Sequence, residues 1–256
     1  MQTDEVPKFY NKRKMRIERF DKSISWEDDL ERLVLYADIM GFSHRVTFNN
    51  HEELKQDLKN FKKAWETKIK PLEKGGHLKS VQFSDSILLV VNGTNEKMFN
   101  IITKAAVCLM QSAIRLGFPI KGAIAQGKFT YDKTNELYFG LPLVSAYQLH
   151  EELNYYGIVV HHSAERTVKK YADATKPYTK TEVYLKKGIT SHYHLSWHLL
   201  NKDLSAGNIK SDVDKWLDDI EEGVSGAPRI YVDNTRKVVK KDDTKWDTYS
   251  EKGSLD

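Results

Sequence analysis

Six apolar runs follow one another along this chain in an order that few folds accept. Their periodicities indicate strand, helix, strand, strand, helix and strand, at residues 33–36, 54–69, 78–83, 87–91, 96–116 and 119–131. This βαββαβ order is typical of a ferredoxin-like sandwich, in which the first and third strands lie side by side at the centre of the sheet. We therefore predict an α+β fold built on that sandwich.

Further patterns extend the sandwich towards the C-terminus. We expect an added hairpin over 182–195, followed by a polar break after Trp197. The predicted organisation is a polar N-terminal arm, a main domain and a C-terminal annex, at 1–28, 29–200 and 201–256. Within the annex we expect a helix near 213–220, a short strand at 229–232 and a polar tail.

Composition excludes several classes of function. The 40 basic and 36 acidic residues are interspersed, and the net charge of +4 indicates a solvated surface without a nucleic-acid partner. No apolar stretch reaches the roughly 20 residues that span a bilayer, and the N-terminus lacks the order of a signal peptide. The single cysteine, Cys108, cannot form a disulfide within the chain. We expect a cytoplasmic protein without a membrane partner.

Two aspartates stand at the ends of strand-like runs. Asp38 follows the run at 33–36, and Asp85 lies in the turn between the runs at 78–83 and 87–91. A carboxylate at a strand end needs a cation, a hydrogen-bond donor or water. The predicted sheet brings both aspartates to one edge, where converging carboxylates suit Mg²⁺ or Mn²⁺. The alternative is that each aspartate caps a turn.

The turn that follows Asp38 has the composition of an anion-binding loop. It consists of five residues, Ile39-Met40-Gly41-Phe42-Ser43. Successive backbone N–H groups in such a turn form a concavity for anions, and Gly41 would allow close approach. Beside two aspartates, this turn suggests a phosphate held next to metal ions.

These motifs resemble those of a known enzyme family. Residues 38–43 (DIMGFS) resemble the aspartate motif of class III nucleotidyl cyclases, which include adenylate and guanylate cyclases. Residues 83–86 (FSDS) resemble the hairpin that carries their second metal aspartate. Further segments resemble the Pycsar cyclases, bacterial anti-phage enzymes that make cyclic pyrimidine nucleotides: 121–127 (KGAIAQG), 138–149 (YFGLPLVSAYQL), 194–197 (HLSW) and 231–235 (YVDNT). The resemblance implies that 29–200 is a nucleotidyl cyclase catalytic domain.

The resemblance also implies a two-metal mechanism. Two divalent cations, Mn²⁺ or Mg²⁺, would be held by Asp38 and Asp85 with help from the Ile39 carbonyl. The ions would bind the triphosphate and assist attack of the ribose 3′-hydroxyl on the α-phosphorus. Cyclases of this class build the site between two protomers, so a homodimer is implied.

The same resemblance suggests the nucleotide contacts. The expected turn contacts are Met40, Gly41, Phe42 and Ser43. Tyr36 shares a strand face with Asp38, because strand residues two apart point the same way. Tyr36 would contact the nucleobase or sugar, or it would be a core tyrosine with a satisfied hydroxyl.

The chain departs from the family pattern at four positions. Val81 and Leu137 stand where purine-specific members carry a base-reading lysine and its acidic partner, which suits a smaller base. Val144 and Gln148 stand where members carry the transition-state asparagine and arginine. Other donors would then have to contact the phosphates, and the candidates are Arg45, Lys121, Lys128, Lys186 and Lys187.

The function predicted from the sequence is a pyrimidine nucleotide cyclase that converts UTP to 3′,5′-cyclic UMP and pyrophosphate. The preference for UTP comes only from the family resemblance, and conversion of CTP to cyclic CMP is the near alternative. A catalytically silent nucleotide-binding regulator, which kept the aspartates but lost the transition-state groups, is a second alternative. A nucleic-acid-binding sandwich is a third, and a steep salt dependence of RNA affinity would support it.

Overall fold

The structure is a computed structural model that describes residues 26, 29–172, 178–199 and 209–252. Its strands are β1 (Leu30–Ile39), β2 (Leu78–Phe83), β3 (Ser86–Val91), β4 (Ile120–Asp132), β5 (Leu137–Gly140), β6 (Gly157–Val160), β7 (Tyr178–Leu185) and β8 (Gly188–Leu195). Its helices are α1 (Phe42–Phe48), α2 (His51–Lys74), α3 (Glu96–Arg115), α4 (Leu141–Glu152), α5 (His162–Tyr171), α6 (Ile209–Glu222) and α7 (Ala227–Lys252). The predicted arm at 1–28 lies outside the described residues, apart from Trp26.

The strands form one mixed sheet. Their order across it is β2-β3-β1-β4-β6-β8-β7, and β5 pairs with the C-terminal end of β4. β1 is antiparallel to both β3 and β4, and β4 runs parallel to β6. The first four strands therefore have the ferredoxin-like arrangement, which confirms the predicted α+β fold and the position of β1 beside β3. The antiparallel β7–β8 pair is the predicted hairpin.

One face of the sheet is covered by α2 and α3. The Asn50 side chain caps α2 by accepting hydrogen bonds from two backbone N–H groups of its first turn. Phe61, Trp65 and Ile69 recur every four residues along α2 and are fully buried. Phe61 stacks on Phe118, with 5.0 Å between ring centroids. This packing fixes the main core and holds the sheet that carries the aspartates.

The opposite face of the sheet carries α4 against β1 and β4. Small residues on β4 make this possible, since Ala123 and Ala125 are fully buried and Gly127 faces the start of the helix. A Cβ on Gly127 would lie 3.1 Å from the Cδ atom of Pro142 in α4. The helix therefore lies close to the strands, and His150 near its C-terminal end reaches the aspartate end of β1.

The C-terminal annex is helical in its described part. The predicted helix near 213–220 is confirmed by α6, but the predicted short strand at 229–232 is wrong, because these residues lie in α7. The run Ile230-Tyr231-Val232 has strand-like composition, yet Pro228 favours a helix start and Val232 is buried from a helix. The expected polar tail is also helical as far as residue 252. Among the described residues, no helix is long and apolar enough to cross a bilayer.

Candidate active site

Asp38 lies near the C-terminal end of the central strand β1. It pairs across the sheet with Ser86 of β3 on one side and with Lys121 of β4 on the other. The predicted position of this aspartate at a strand end is confirmed. Its side chain is half-buried, so the carboxylate is reachable from outside the core.

Asp85 occupies the tight turn between β2 and β3. Ser84 before it has a φ of 55°, a left-handed conformation that reverses the chain within two residues. The backbone carbonyl of Asp85 accepts a hydrogen bond of 3.1 Å from the N–H of Ile39. This bond fastens the turn to the end of β1 and brings the two aspartates together, as the sequence predicts.

The electrostatics of Asp38 reflect this arrangement. Burial, followed by the negative charge of Asp85, raises the pKa of Asp38 to about 6, while Ser86 and Lys121 act in the opposite direction. A cation bound between the two carboxylates would offset both the cost of burying their charge and the repulsion between them. Among the described residues, no group of three or more His, Cys, Asp or Glu side chains is arranged for a metal. An ion here would therefore need ligands beyond the two aspartates.

A hydrogen-bond chain orients the Asp38 carboxylate. Ser86 Oγ donates to Asp38 Oδ1 at 3.2 Å and lies 2.7 Å from the Tyr36 hydroxyl. Because the single Ser86 proton goes to Asp38, Tyr36 must donate to Ser86. Burial, above other causes, raises the pKa of Tyr36 to about 12, so this phenol stays protonated and able to donate. The Tyr36 hydroxyl, which the sequence suggested as a nucleotide contact, is thus already hydrogen-bonded to Ser86.

The turn after Asp38 is partly committed to internal bonds. The N–H of Ile39 donates to Asp85, and the N–H of Met40 donates to the Pro119 carbonyl at 2.8 Å. Gly41 has a φ of 71°, and a Cβ there would meet no atom within 4 Å. Glycine is therefore favoured by the left-handed backbone and not by crowding. The predicted N–H contacts to phosphate then rest on residues 41–43.

The five candidate cationic residues lie in different places. Lys121 is buried beside Asp38, and Lys186 approaches the same region through an ion pair of 3.9 Å with Glu151. Arg45 donates to the Gly117 carbonyl and lies over the Phe118 ring, 4.7 Å from its centroid. The structure thus brings Lys121 and Lys186 towards the aspartates.

Two of the five candidates lie away from Asp38. Lys128 is exposed at the opposite end of β4, across from Glu31 of β1. Lys187 is 86% exposed and pairs with Glu152 at 3.9 Å. Within one protomer, these two lysines have no described contact with the aspartate cluster.

Side chains of α4 also reach the site, and this contribution was not predicted from the sequence. The Nε2 atom of His150 lies 3.2 Å from a carboxylate oxygen of Glu151, which is also 4.0 Å from the Lys121 ammonium. The Tyr36 ring lies 4.7 Å from the His150 ring and 5.5 Å from the Tyr147 ring, between centroids. The spacing of 147, 150 and 151 on one helix was the available signal. It needed the packing of α4 on β1 to acquire meaning.

None of the four side chains that depart from the family pattern carries a charge. Val81 of β2 packs against a small apolar cluster that includes Leu88 and Val90 of the neighbouring strand β3. Leu137 on β5 and Val144 on α4 are 51% and 49% exposed, and Gln148 is also exposed. The transition-state groups expected of the family have no counterpart at these positions.

Comparison with known proteins identifies the fold. Neither a protein-family model nor a curated protein matches the chain. Among solved structures, the catalytic core of a rhodopsin-guanylyl cyclase with converted specificity, in complex with ATPαS, matches with a TM-score of 0.51 and 13% identity. That match covers 64% of this chain and 94% of the other. The chain therefore has the fold of class III cyclase catalytic domains.

Other cyclase structures match less well. The guanylate cyclase domain of RhGC from Catenaria anguillulae, in complex with GTP, has a TM-score of 0.49 and 13% identity, covering 65% of this chain and 96% of that one. The adenylyl cyclase CyaB from P. aeruginosa has a TM-score of 0.42 and 16% identity, covering 69% and 97% respectively.

Proposed function

We propose that this protein is a nucleotidyl cyclase that converts UTP to 3′,5′-cyclic UMP and pyrophosphate. The observation that carries the proposal is the Ile39–Asp85 backbone bond, which joins the turn that carries Asp85 to the end of the strand that carries Asp38, at one end of a cyclase-type sheet. The similar fold crystallised with ATPαS supports a nucleoside triphosphate as the substrate class. The resemblance to Pycsar cyclases adds a role in making a second messenger for anti-phage defence. The cytoplasmic location stays a prediction from the sequence.

The chemistry of the donor set fits divalent cations. Asp38 and Asp85 would hold two Mn²⁺ or Mg²⁺ ions, together with the Ile39 carbonyl. Two carboxylates leave coordination positions for phosphate oxygens, as such ions prefer at phosphoryl-transfer sites. The raised pKa of Asp38 supports this assignment, because a cation would favour the ionised form. When bound, the ions would activate the ribose hydroxyl and neutralise charge on the phosphates.

Side chains of the protein itself would orient the Asp38 carboxylate and supply positive charge to the site. Tyr36 and Ser86 would fix the Asp38 carboxylate through their hydrogen bonds. Lys121 would face the triphosphate as a local cation and supply part of the charge that arginine supplies in related enzymes. Glu151 would hold the Lys121 ammonium, from which it lies 4.0 Å away.

The proposed base is a pyrimidine. Val81 is held in an apolar cluster and Leu137 carries no polar group, so neither would hydrogen-bond a purine edge. Uracil is favoured only through the family resemblance, and CTP is the near alternative. A panel of all four nucleotides separates these options.

A homodimer would complete the site. An exposed apolar stripe on α4, made of Leu141, Val144 and Tyr147, runs towards the aspartate end of β1. Phe83, 81% exposed, lies beside the Asp85 turn. A second copy would cover these side chains and add groups to the open side of the carboxylates.

Val144→Glu should then reduce both the dimer fraction measured by sedimentation and the cyclase activity. Ile189→Glu, an exposed apolar residue on the β8 hairpin, should change neither.

A silent regulator is a second candidate, which the residues Val144 and Gln148 favour. Such a protein would bind nucleotide and metal without turnover. Release of pyrophosphate from UTP with Mn²⁺ is the discriminating experiment, run beside Asp85→Asn. Release by the wild type alone supports the cyclase. Binding of UTP and Mn²⁺ by the wild type without release, as monomer or dimer, would support the regulator.

A further inference from the structure

A large cavity lies between the catalytic fold and the C-terminal annex. Its volume is about 980 Å³, within the range of small-molecule sites. The catalytic fold contributes the turn after Asp38 and the C-terminal end of α3, whereas the annex contributes α6 and the start of α7. The annex is therefore one wall of a cavity that borders the candidate active site.

The charged side chains that line this cavity are mainly basic. Four side chains that can carry positive charge line it, from both walls: His44, Arg45, Arg115 and Lys215. Among the described lining residues, Asp219 is the one carboxylate. A concave surface lined by one sign of charge concentrates ligands of the opposite sign. The chemistry of the walls thus suits a polyanion.

The annex wall is held in place by packing and hydrogen bonds. Leu217 of α6 and Val232 of α7 are fully buried. The Asn234 amide donates to the Asn154 carbonyl at 2.9 Å, and the Thr235 hydroxyl accepts from the Tyr156 N–H at 2.9 Å. The wall that carries Lys215 is thus anchored to the catalytic fold, as a binding surface requires.

The same arrangement is reinforced between the two annex helices. The Arg236 guanidinium of α7 lies 2.7 Å from Asp218 and 2.6 Å from Glu221, both on α6. Arg229 also pairs with Glu221 at 2.6 Å. These pairs fix the two helices against each other, so Lys215 faces the cavity from a preformed surface.

The cavity is contiguous with the candidate active site. Met40 and Gly41, which follow Asp38, belong to its lining. Tyr231 of α7 also lines it, and the Lys121 ammonium lies 5.9 Å from the Tyr231 ring centroid. A ligand in the cavity would therefore contact groups that touch the aspartate cluster.

We propose that this cavity binds a polyphosphate group and that Lys215 of the annex is one of its contacts. The polyphosphate can be the tail of the substrate or the pyrophosphate product, an assignment that rests on the proposed function. It can also belong to a separate phosphorylated ligand, which would not require cyclase activity. Both sources share the same chemistry, and kinetics distinguishes them.

The test is calorimetric titration of the full chain with inorganic tripolyphosphate in EDTA. Lys215→Glu and Lys215→Gln should weaken binding at least tenfold and about threefold, in proportion to the change of charge. Lys63→Glu, an exposed lysine on α2 outside the cavity, is the charge-matched control and should bind as the wild type does. Asp38→Asn should retain binding, which distinguishes the cavity from the metal site. Equal affinity in wild type and Lys215→Glu, with both folded by circular dichroism, would overturn the proposal, as would no binding to the wild type.

The source of the polyphosphate is read from steady-state kinetics. If it belongs to the nucleotide, Lys215→Glu should raise KM for UTP about fivefold or more, with kcat changed less. If it belongs to a separate ligand, KM should stay unchanged while tripolyphosphate binding is lost. Should the protein turn over no nucleotide, the calorimetric result still tests the cavity, so failure of the proposed function and failure of this site are distinguishable.

Discussion

Lys121 of β4 is the direct cross-strand partner of Asp38 of β1. The ammonium is buried, with 5% of its side chain exposed, and its charge opposes the rise in the pKa of Asp38. Burial lowers the pKa of Lys121 itself, while Glu151 acts in the opposite direction. The site therefore places a carboxylate and an ammonium side by side in a partly buried environment, where the interaction between charges is stronger than in water.

Lys121→Gln should lower kcat/KM for the preferred nucleotide by roughly 100-fold, because it removes the charge that we propose faces the phosphates. The control is Lys128→Gln, on the same strand but exposed at its other end. It should stay within about twofold of the wild type, since exposed side chains outside the site contribute little. Steady-state kinetics of both variants checks this. Equal effects would mean that the charge of β4 acts at long range and not through a contact.

Ser86→Ala should move the acidic limb of the activity profile to higher pH. The Ser86 hydroxyl donates to Asp38 and lowers the pKa of that carboxyl, which is about 6 in its presence. Without the donor, Asp38 loses its proton at a higher pH and binds metal less well below that point. Ser80→Ala, which removes a hydroxyl bonded to Glu73, is the control and should leave the limb in place. An unshifted limb in Ser86→Ala would show that Asp38 does not govern it.

Gly122→Ala should destabilise the fold by about 3 kcal/mol. An added Cβ would lie 2.6 Å from the Tyr36 carbonyl oxygen and 2.9 Å from the Ala37 Cβ, on the central strand. Gly223→Ala offers the comparison, because its Cβ would meet the Ile220 carbonyl at an ordinary 3.7 Å. That change should stay within about 0.5 kcal/mol. Chemical denaturation measures both, and a tolerated Gly122→Ala would contradict the close approach of β1 and β4.

Asp242→Ala should cost about 3–5 kcal/mol, because it leaves buried groups without their anion. Asp242 is fully buried, and its Oδ1 lies 2.8 Å from His194 Nε2 and 2.7 Å from the Thr179 hydroxyl. These bonds join α7 to the β7–β8 hairpin. Lys241→Ala removes a more exposed pair with Glu182 and should cost at most about 1 kcal/mol. Similar losses in urea denaturation for both variants would refute a structural role for the buried pair.

The contribution of Asp242 to the stability of the fold depends on pH. Burial raises the pKa of Asp242, but the charge of His194 and its hydrogen bond outweigh it, so the pKa lies below the usual 3.8. The folded state then binds fewer protons than the unfolded state just below pH 3.8, and this part of the stability falls as the pH falls. Wild type should lose stability to acid faster than Asp242→Ala.

Much of the cyclase-type fold follows from local pattern. The alternation of apolar runs was enough to predict the order of β1 to β4, and the sandwich topology then brought Asp38 and Asp85 together. The strand predicted at 229–232 failed because three apolar residues in a row carry no period. Tertiary burial of Val232 decided that segment in favour of a helix.

The supporting side chains of the site were beyond local pattern. Lys121 and Lys128 look alike in the sequence, yet they lie seven positions apart on one strand, which separates them by roughly 23 Å and places them on opposite faces. His150 and Glu151 acquire a role only because α4 packs on the small residues of β4. Such contacts depend on the distance between elements, which periodicity does not report.

The central claim is tested most directly by identifying the product. Purified protein is incubated separately with ATP, GTP, CTP and UTP plus Mn²⁺, beside Asp85→Asn, and the products are resolved by mass spectrometry. We expect 3′,5′-cyclic UMP from UTP in the wild type and a loss of roughly 100-fold or more in Asp85→Asn, because the variant removes a proposed metal ligand. Cyclic purine products would contradict the interpretation of Val81 and Leu137. No cyclic product from any of the four nucleotides, from protein that binds Mn²⁺ and dimerises, would contradict the cyclase itself.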